Sequence, residues 1–283
     1  MRGIAGYDFV WRLGKGSHGE FFMARRPEWL PVDAKYVTVK VVNGNGEAGP
    51  ADDAARQATH ELGVFATVRS PYLVTLYDAG QQAGTLYYSM EFLPAARPLG
   101  SSRDLRRRTR LLKALADAAR AVQALHDAGM VHRDIKPGNV LLTAEGGKLA
   151  DLGLVQTVSA GTELTRMGEP HSAEFVDPSV LRGEEPAPAG DIWSLGASIH
   201  YLVAGVGLYG DLPVHDPLLT LRTVLGSRPR IAEGVDPAAA ELIRACVGAQ
   251  DGRPTAAEVA DRLESLASPA PGSAPGMAGT AHA

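Results

Sequence analysis

The sequence predicts an α+β fold in two lobes, strands first and helices after. Three observations point to it. Short runs of β-branched and aromatic residues, separated by Gly, Pro and Asn, fill the chain up to Phe92. Beyond Pro98 the apolar residues recur instead at spacings of three and four. With 283 residues, 45% hydrophobic and 21% charged, the chain can bury a sizeable core and is not disordered throughout.

The elements follow in order. Tyr7–Leu13 reads as a first strand, the run around Phe21, Phe22 and Met23 as a second, and Tyr36–Val42, rich in valine, as a third. Pro27 and Pro31 flank Trp29 in a surface loop, and Asn43-Gly44-Asn45-Gly46 closes the third strand as a turn. A helix is expected from Asp52, with an acidic start, to Val68, where Ser70-Pro71 ends it. Strands at Val74–Tyr77 and Leu86–Phe92 complete a small sheet. Leu111, Leu115, Ala118, Val122 and Leu125 then mark one buried helix face, stopped by Gly129. Further helices are expected at Asp191–Val203, Pro237–Val247 and Thr255–Leu266. The boundaries expected are a first lobe over 1–93, a second over 94–266, and a disordered Pro/Ala/Gly/Ser tail over 267–283.

Charge and cysteine content narrow the function. Twenty-eight Lys+Arg against 32 Asp+Glu give a net charge of −4, so no chain-wide basic field favours nucleic acid or an anionic membrane. Cys246 is the single cysteine, which excludes an intramolecular disulfide and a cysteine zinc cluster; it reads as a small apolar residue on a helix. Met1–Asp8 lacks the apolar run of a secretory signal. Leu195–Tyr209, interrupted by Ser198 and His200, is too short to span a bilayer. A soluble cytoplasmic protein is expected.

Four segments carry chemistry. Gly14-Lys15-Gly16-Ser17-His18-Gly19 joins two strands, either as a glycine-rich hairpin or as a loop whose N–H groups cradle phosphate. Lys40 interrupts an apolar strand, so its ammonium needs an anion unless it snorkels at an edge; Glu61 on the next helix is the expected partner. Val131-His132-Arg133-Asp134-Ile135-Lys136-Pro137-Gly138-Asn139 puts a carboxylate, an ammonium and a carboxamide into one tight loop. There Asp134 can accept a hydroxyl proton, Lys136 can neutralise a phosphoryl group, and Asn139 can offer Mg²⁺ a neutral oxygen. Asp151-Leu152-Gly153 adds a second metal-binding carboxylate after a short strand.

These motifs, in this order, resemble those of Hanks-type (eukaryotic-like) serine/threonine protein kinases, especially the compact bacterial members, from about Tyr7 to Leu266. The resemblance implies the two-lobed protein-kinase fold and transfer of the γ-phosphoryl group of ATP to serine or threonine hydroxyls of proteins. It implies ATP and Mg²⁺, with Mn²⁺ as a substitute, and the chain itself as one substrate. Gly14, Gly16, Ser17 and Gly19 would cover the phosphates, with Phe21 and Thr38 above adenine. Lys40 would contact phosphates and pair with Glu61, while Glu91 and Leu93, after Met90 at the gatekeeper position, would bond adenine through their backbone. Asp134 would be the base, Lys136 would steady the γ-phosphate, and Asn139 with Asp151 would hold the metal. Asp191 would brace the catalytic loop, and Phe65, Leu76, His132 and Leu152 would stack between the lobes.

Several positions depart from the family. Phe21 stands where Val is usual and Thr38 where Ala is usual, which predicts a tighter adenine pocket. Leu152 replaces the usual Phe, and His18 replaces an aromatic at the loop tip. The activation segment ends Gly168-Glu169-Pro170-His171-Ser172-Ala173-Glu174-Phe175-Val176-Asp177-Pro178-Ser179, with Glu169 for the usual threonine and Ser179 for the usual terminal glutamate. Arg253, the glutamate's usual partner, must then find another carboxylate among Glu174, Asp177, Glu184 and Glu185. The cluster Arg103, Arg106, Arg107, Arg108 and Arg110 is either a solvated helix start or a patch for an acidic partner. A pseudokinase serving as a docking module, or a kinase acting on a small molecule, is the alternative function.

Overall fold

The structure is a computed structural model that describes residues 3–16, 19–42, 59–60, 62–99, 108–151 and 170–268. Its first sheet is antiparallel and has the strand order β1-β2-β3-β5-β4. The strands are β1 (Asp8–Gly16), β2 (Gly19–Arg25), β3 (Tyr36–Val42), β4 (Leu76–Gln82) and β5 (Thr85–Glu91). The expected strands at Val74–Tyr77 and Leu86–Phe92 therefore shift, because β4 continues through polar Gln81 and Gln82 and turns at Ala83-Gly84, both at positive φ. Of the helix expected over 52–68, residues 59–60 and 62–65 are helical, with Leu62 and Phe65 buried; the rest lies outside the described residues or forms a turn.

The register fixes what faces the cleft. Lys40 on β3 lies opposite Phe21 on β2 and Tyr88 on β5, while Thr38 lies opposite Met23 and Met90. Alternation along β3 places these residues on one face. Gly19 ends the tight β1–β2 connection, and a Cβ there would sit 2.2 Å from the Val41 carbonyl oxygen. Close backbone approach between β2 and β3 thus demands this glycine, whatever ligand the loop meets.

The second lobe is helical, with a small sheet added that periodicity did not reveal: β6 (Arg97–Pro98), β7 (Val140–Leu142) and β8 (Gly147–Leu149). Helix α1 (Arg108–Asp127) buries Leu111, Leu115, Ala118, Val122 and Leu125, the face expected from spacing. It ends where Gly129, at φ +71°, bonds back to the His126 carbonyl. The next helices are α2 (Pro178–Leu181), α3 (Pro188–Ala204), α4 (Pro217–Gly226), α5 (Pro237–Cys246) and α6 (Ala256–Ala267). Asp177, Asp216 and Asp236 each cap a helix whose first residue is proline, and Thr255 with Glu258 forms a capping box on α6. Helices α1 and α6 pack together, with α3 against α1 and α5 behind it. Cys246 is buried on α5, where burial pushes its thiol up to about 12. Among the described residues no helix is long and apolar enough to cross a membrane.

Arg253 finds its carboxylate in Asp177, one of the four candidates. The guanidinium pairs with Asp177 Oδ2, also donates to the carbonyls of Ala189 and Gly248, and lies over the Trp193 ring. Asp177 Oδ1 meanwhile accepts the Ser179 amide, so one side chain caps α2 and holds the arginine. Both side chains are at most 5% exposed, so Asp177→Ala leaves a buried guanidinium without its counter-charge. Stability should fall by about 3 kcal/mol, read from the urea midpoint at unchanged slope. A loss under about 1 kcal/mol would show that the two carbonyls suffice.

Candidate active site

A cleft of about 530 Å³ separates the two sheets. Gly14, Gly16, Phe21 and Thr38 close it from above, and Met90, Glu91 and Leu93 form its back where the chain passes between lobes. Lys136, Asn139 and Asp151 line the lower wall. Ten of the expected binding, metal and loop residues thus share one cavity. Ser17, Glu61, His18 and Leu152 lie outside the described residues. The Gly16 position is tight, since a Cβ there would sit 2.8 Å from the Phe21 ring. That ring lies close against Gly16 at the roof of the cleft.

Lys40 is 1% exposed, and its ammonium pairs with Asp151. The expected pairing with Glu61 falls outside the described residues, and Asp151 from the other lobe supplies the anion. Nζ also lies 5.1 Å from the Phe21 ring centroid and 5.7 Å from that of Tyr88, within range of favourable cation–π contact. The Tyr88 hydroxyl donates to Asp151 Oδ1 at 2.6 Å. Burial opposes ionisation of Asp151, but the Lys40 charge and the hydrogen bonds from Lys40 and Tyr88 outweigh it and hold the carboxyl below its usual range. Tyr88 is pushed far up, by burial first and then by the neighbouring Asp151 charge.

Across the cleft the tight loop ties itself together. Lys136 Nζ donates to Asp134 Oδ2 at 3.0 Å, and Asn139 Nδ2 donates to the same oxygen at 2.8 Å and to the Asp134 carbonyl at 2.7 Å. Its amide nitrogen being so used, Asn139 offers its carbonyl oxygen to a cation. That oxygen and the Asp151 carboxylate are the hard donors a small divalent cation prefers, so the residues fit such an ion. Asp191, 1% exposed at the start of α3, accepts the amides of His132 at 2.8 Å and Arg133 at 2.9 Å. His126 on α1 meets the same carboxylate at 2.9 Å. Arg133 sits at φ +72°, a strained conformation that these bonds to Asp191 sustain. Phe65, Leu76 and His132 are buried as the resemblance implies, and burial lowers the His132 pKa.

Sequence reasoning missed Tyr88, His126 and Lys148. Lys148 on β8 pairs with Glu91 at 2.6 Å while the Thr75 amide donates to the same carboxylate at 2.8 Å, which anchors the connection between lobes. The signal for Tyr88 was a phenol amid the apolar run Leu86–Met90, but its partner depends on register. Of the arginine cluster, Arg103, Arg106 and Arg107 lie outside the described residues. Arg110 donates to the Thr143 carbonyl at 2.9 Å, a structural contact.

Comparison with known proteins agrees with this geometry. The profile of the protein kinase domain matches residues 7–262. A probable serine/threonine-protein kinase, PkwA of Thermomonospora curvata, is 26% identical over 92% of this chain and 34% of its own length. The serine/threonine-protein kinase PknA of Mycobacterium tuberculosis is 31% identical over 62% of this chain and 43% of its own. The chain thus spans less than half the length of these curated relatives. The crystal structure of the Mycobacterium tuberculosis PknI kinase domain shares the fold, with a TM-score of 0.67 at 20% identity over 93% of this chain and 97% of that one.

Lys40→Met keeps an apolar stem on β3 and removes the cation beside a buried carboxylate. The domain should still fold, with stability lowered by about 1–3 kcal/mol in urea titration. An unchanged midpoint would mean that the Lys40–Asp151 pair contributes no net stability.

Proposed function

This chain belongs to the protein kinase domain family, and on that premise we propose that it is a protein serine/threonine kinase using ATP and a divalent cation. The observation that carries the reading is the hydrogen-bonded trio Asp134, Lys136 and Asn139 beside the Lys40–Asp151 pair, with Lys136, Asn139 and Asp151 lining one cleft. Lys136 two residues after Asp134 is the serine/threonine form of the loop.

The chemistry divides among these residues. Asp134 takes the proton of the attacking hydroxyl, oriented by Lys136 and Asn139 on its Oδ2. Lys40 and Lys136 place positive charge on opposite walls, where the transferring phosphoryl group passes between nucleotide and acceptor. Backbone groups of Glu91 and Leu93 bind adenine, and Phe21 and Thr38 cover it. Asn139 and Asp151 hold Mg²⁺, or Mn²⁺ in its place, which neutralises phosphate charge when bound. Little covalent work is left to the protein, so positioning dominates.

Its partners on this reading are proteins bearing serine or threonine, the chain itself among them, and it acts in the cytoplasm. Arg133 beside the base can meet a phosphate on the activation segment through a bidentate contact. Thr157, Ser159, Thr162 and Thr165 are the acceptors there, all outside the described residues, and Thr165 with Thr162 are the sites proposed. Nothing in the cleft favours the docking-module alternative, since Lys40, Asp134, Lys136, Asn139 and Asp151 are all present.

Asp134→Asn preserves volume and removes the proton acceptor. Transfer of radiolabel from ATP to a generic protein should fall by ~10²-fold or more while nucleotide still binds. Lys40→Met should cripple the same transfer. Parallel assays on small alcohols separate a small-molecule kinase, and binding without any turnover in the wild-type chain would restore the docking alternative. Peptide mapping after incubation with MgATP should find phosphate at Thr165 or Thr162, and the Thr162→Ala, Thr165→Ala double variant should lose activity several-fold. Full activity in that variant would mean that Glu163 or Glu169 serves Arg133 instead.

A further inference from the structure

Tyr88 occupies the middle of β5, 3% exposed and directly opposite Lys40 on β3. Its hydroxyl reaches Asp151 Oδ1 at 2.6 Å, the same oxygen that takes the Lys40 ammonium. Among the described residues no hydrogen bond is made to Oδ2, and Asp151 lines the cleft. The backbone at Asp151 sits at φ +59°, in the left-handed region, so regular secondary structure does not fix the direction of this side chain.

We propose that Tyr88 is a positioning residue for the metal-binding carboxylate, clamping Oδ1 of Asp151 so that Oδ2 is presented to the divalent cation in the cleft. This rests on the kinase reading above. Three physical points favour it. A phenol donating to a carboxylate at this length makes a charge-assisted bond, stronger than one between neutral groups. Lys40 alone constrains Asp151 poorly, since an ammonium is a rotatable point charge that must also serve phosphate. The phenol is held rigidly in the sheet, so two donors on one oxygen define the plane of the carboxylate where one cannot. The Tyr88 ring also flanks the Lys40 ammonium at 5.7 Å, so one side chain orders both members of the pair. The competing account is that Asp151 merely satisfies a buried hydroxyl.

Tyr88→Phe separates the two accounts, because it removes only the hydroxyl and keeps the ring. The probe is a fluorescent ADP titrated into the purified chain with and without Mg²⁺. Affinity without metal should stay within about twofold of wild type, while the tightening produced by Mg²⁺ should shrink about tenfold. The Mg²⁺ concentration for half-maximal phosphoryl transfer should rise by a similar factor, with KM for MgATP at saturating metal little changed. A Tyr88→Phe chain that melts lower but keeps wild-type metal dependence overturns the proposal and leaves only the packing account. Asp151→Asn should abolish the metal effect. If it does not, or if wild type shows no metal-dependent tightening, the metal assignment itself fails and the proposal with it. A wild-type and Asp151→Asn result as expected, with Tyr88→Phe unchanged, removes Tyr88 alone. A readout independent of that variant's folding is the tyrosine difference spectrum on adding Mg²⁺ and ADP. It should appear in the wild type and be absent in Asp151→Asn; equal spectra in both count against the clamp.

Discussion

The burial of one ammonium organises the first lobe and ties it to the second. Lys40 is in the middle strand of a five-stranded sheet and almost wholly inaccessible. An isolated charge there would be costly to desolvate, and an anion against that face offsets the cost. Asp151 follows β8 of the other lobe, and satisfying β3 therefore draws the second sheet up to the first. The backbone reinforces the same seam, since the Val74 amide donates to the Leu149 carbonyl and the Leu149 amide to the Tyr72 carbonyl. The Lys148–Glu91 pair closes the seam at the connecting strand. A slip of one residue in β3 would turn Lys40 to the opposite face and bring a valine into its place, so the register is strongly specified.

The second lobe solves the inverse problem, a buried anion. Asp191 is satisfied by two backbone amides and a histidine and holds the loop before Asp134 from beneath. Because both oxygens of Asp191 accept loop amides, the left-handed Arg133 cannot relax without taking from Oδ1 the amide it accepts. Asp134 is therefore fixed twice, through the backbone by α3 and through its own carboxylate by Lys136 and Asn139. Preorganisation of this kind costs stability locally and is maintained by the packing of α3 against α1 and α5.

What the sequence made legible was whatever depends on composition, period and short motifs. The face of α1, the helix over Thr255–Leu266, the strand at Tyr36–Val42 and the order of the chemical motifs were all readable from neighbouring residues. The Asp151 contact of Lys40 and the partners of Arg253 and Tyr88 were not, because each depends on which distant elements meet. For Arg253 four carboxylates were equal on sequence grounds, and only the path from 170 to 190 selects Asp177. Helix α4 was missed for another reason. Its apolar spacing is weak, but Asp216-Pro217 repeats the capping pattern of Asp177-Pro178 and Asp236-Pro237, a signal that periodicity does not see. Of the β6–β8 sheet only the short strand before Asp151 was read, because strands of three residues or fewer are too short to show alternation.

The departures from the family pattern then resolve into exchanges of partner. Ser179 cannot meet Arg253 as a carboxylate, yet Asp177 lies two residues earlier and faces the same guanidinium while capping α2. Ser179 is left to take the Gln250 amide at 2.9 Å, so neither side chain is stranded. Phe21, which stands where Val is usual, joins Tyr88 around Lys40. Two rings in one cross-strand row flank the ammonium, and their faces add attraction to a charge that burial would otherwise disfavour. The ring bulk at the roof of the cleft and part of the aromatic support of the Lys40–Asp151 pair thus come from one side chain, Phe21. Substituting Phe21 to widen the pocket must therefore also loosen the pair, because the same ring forms the roof and the cage.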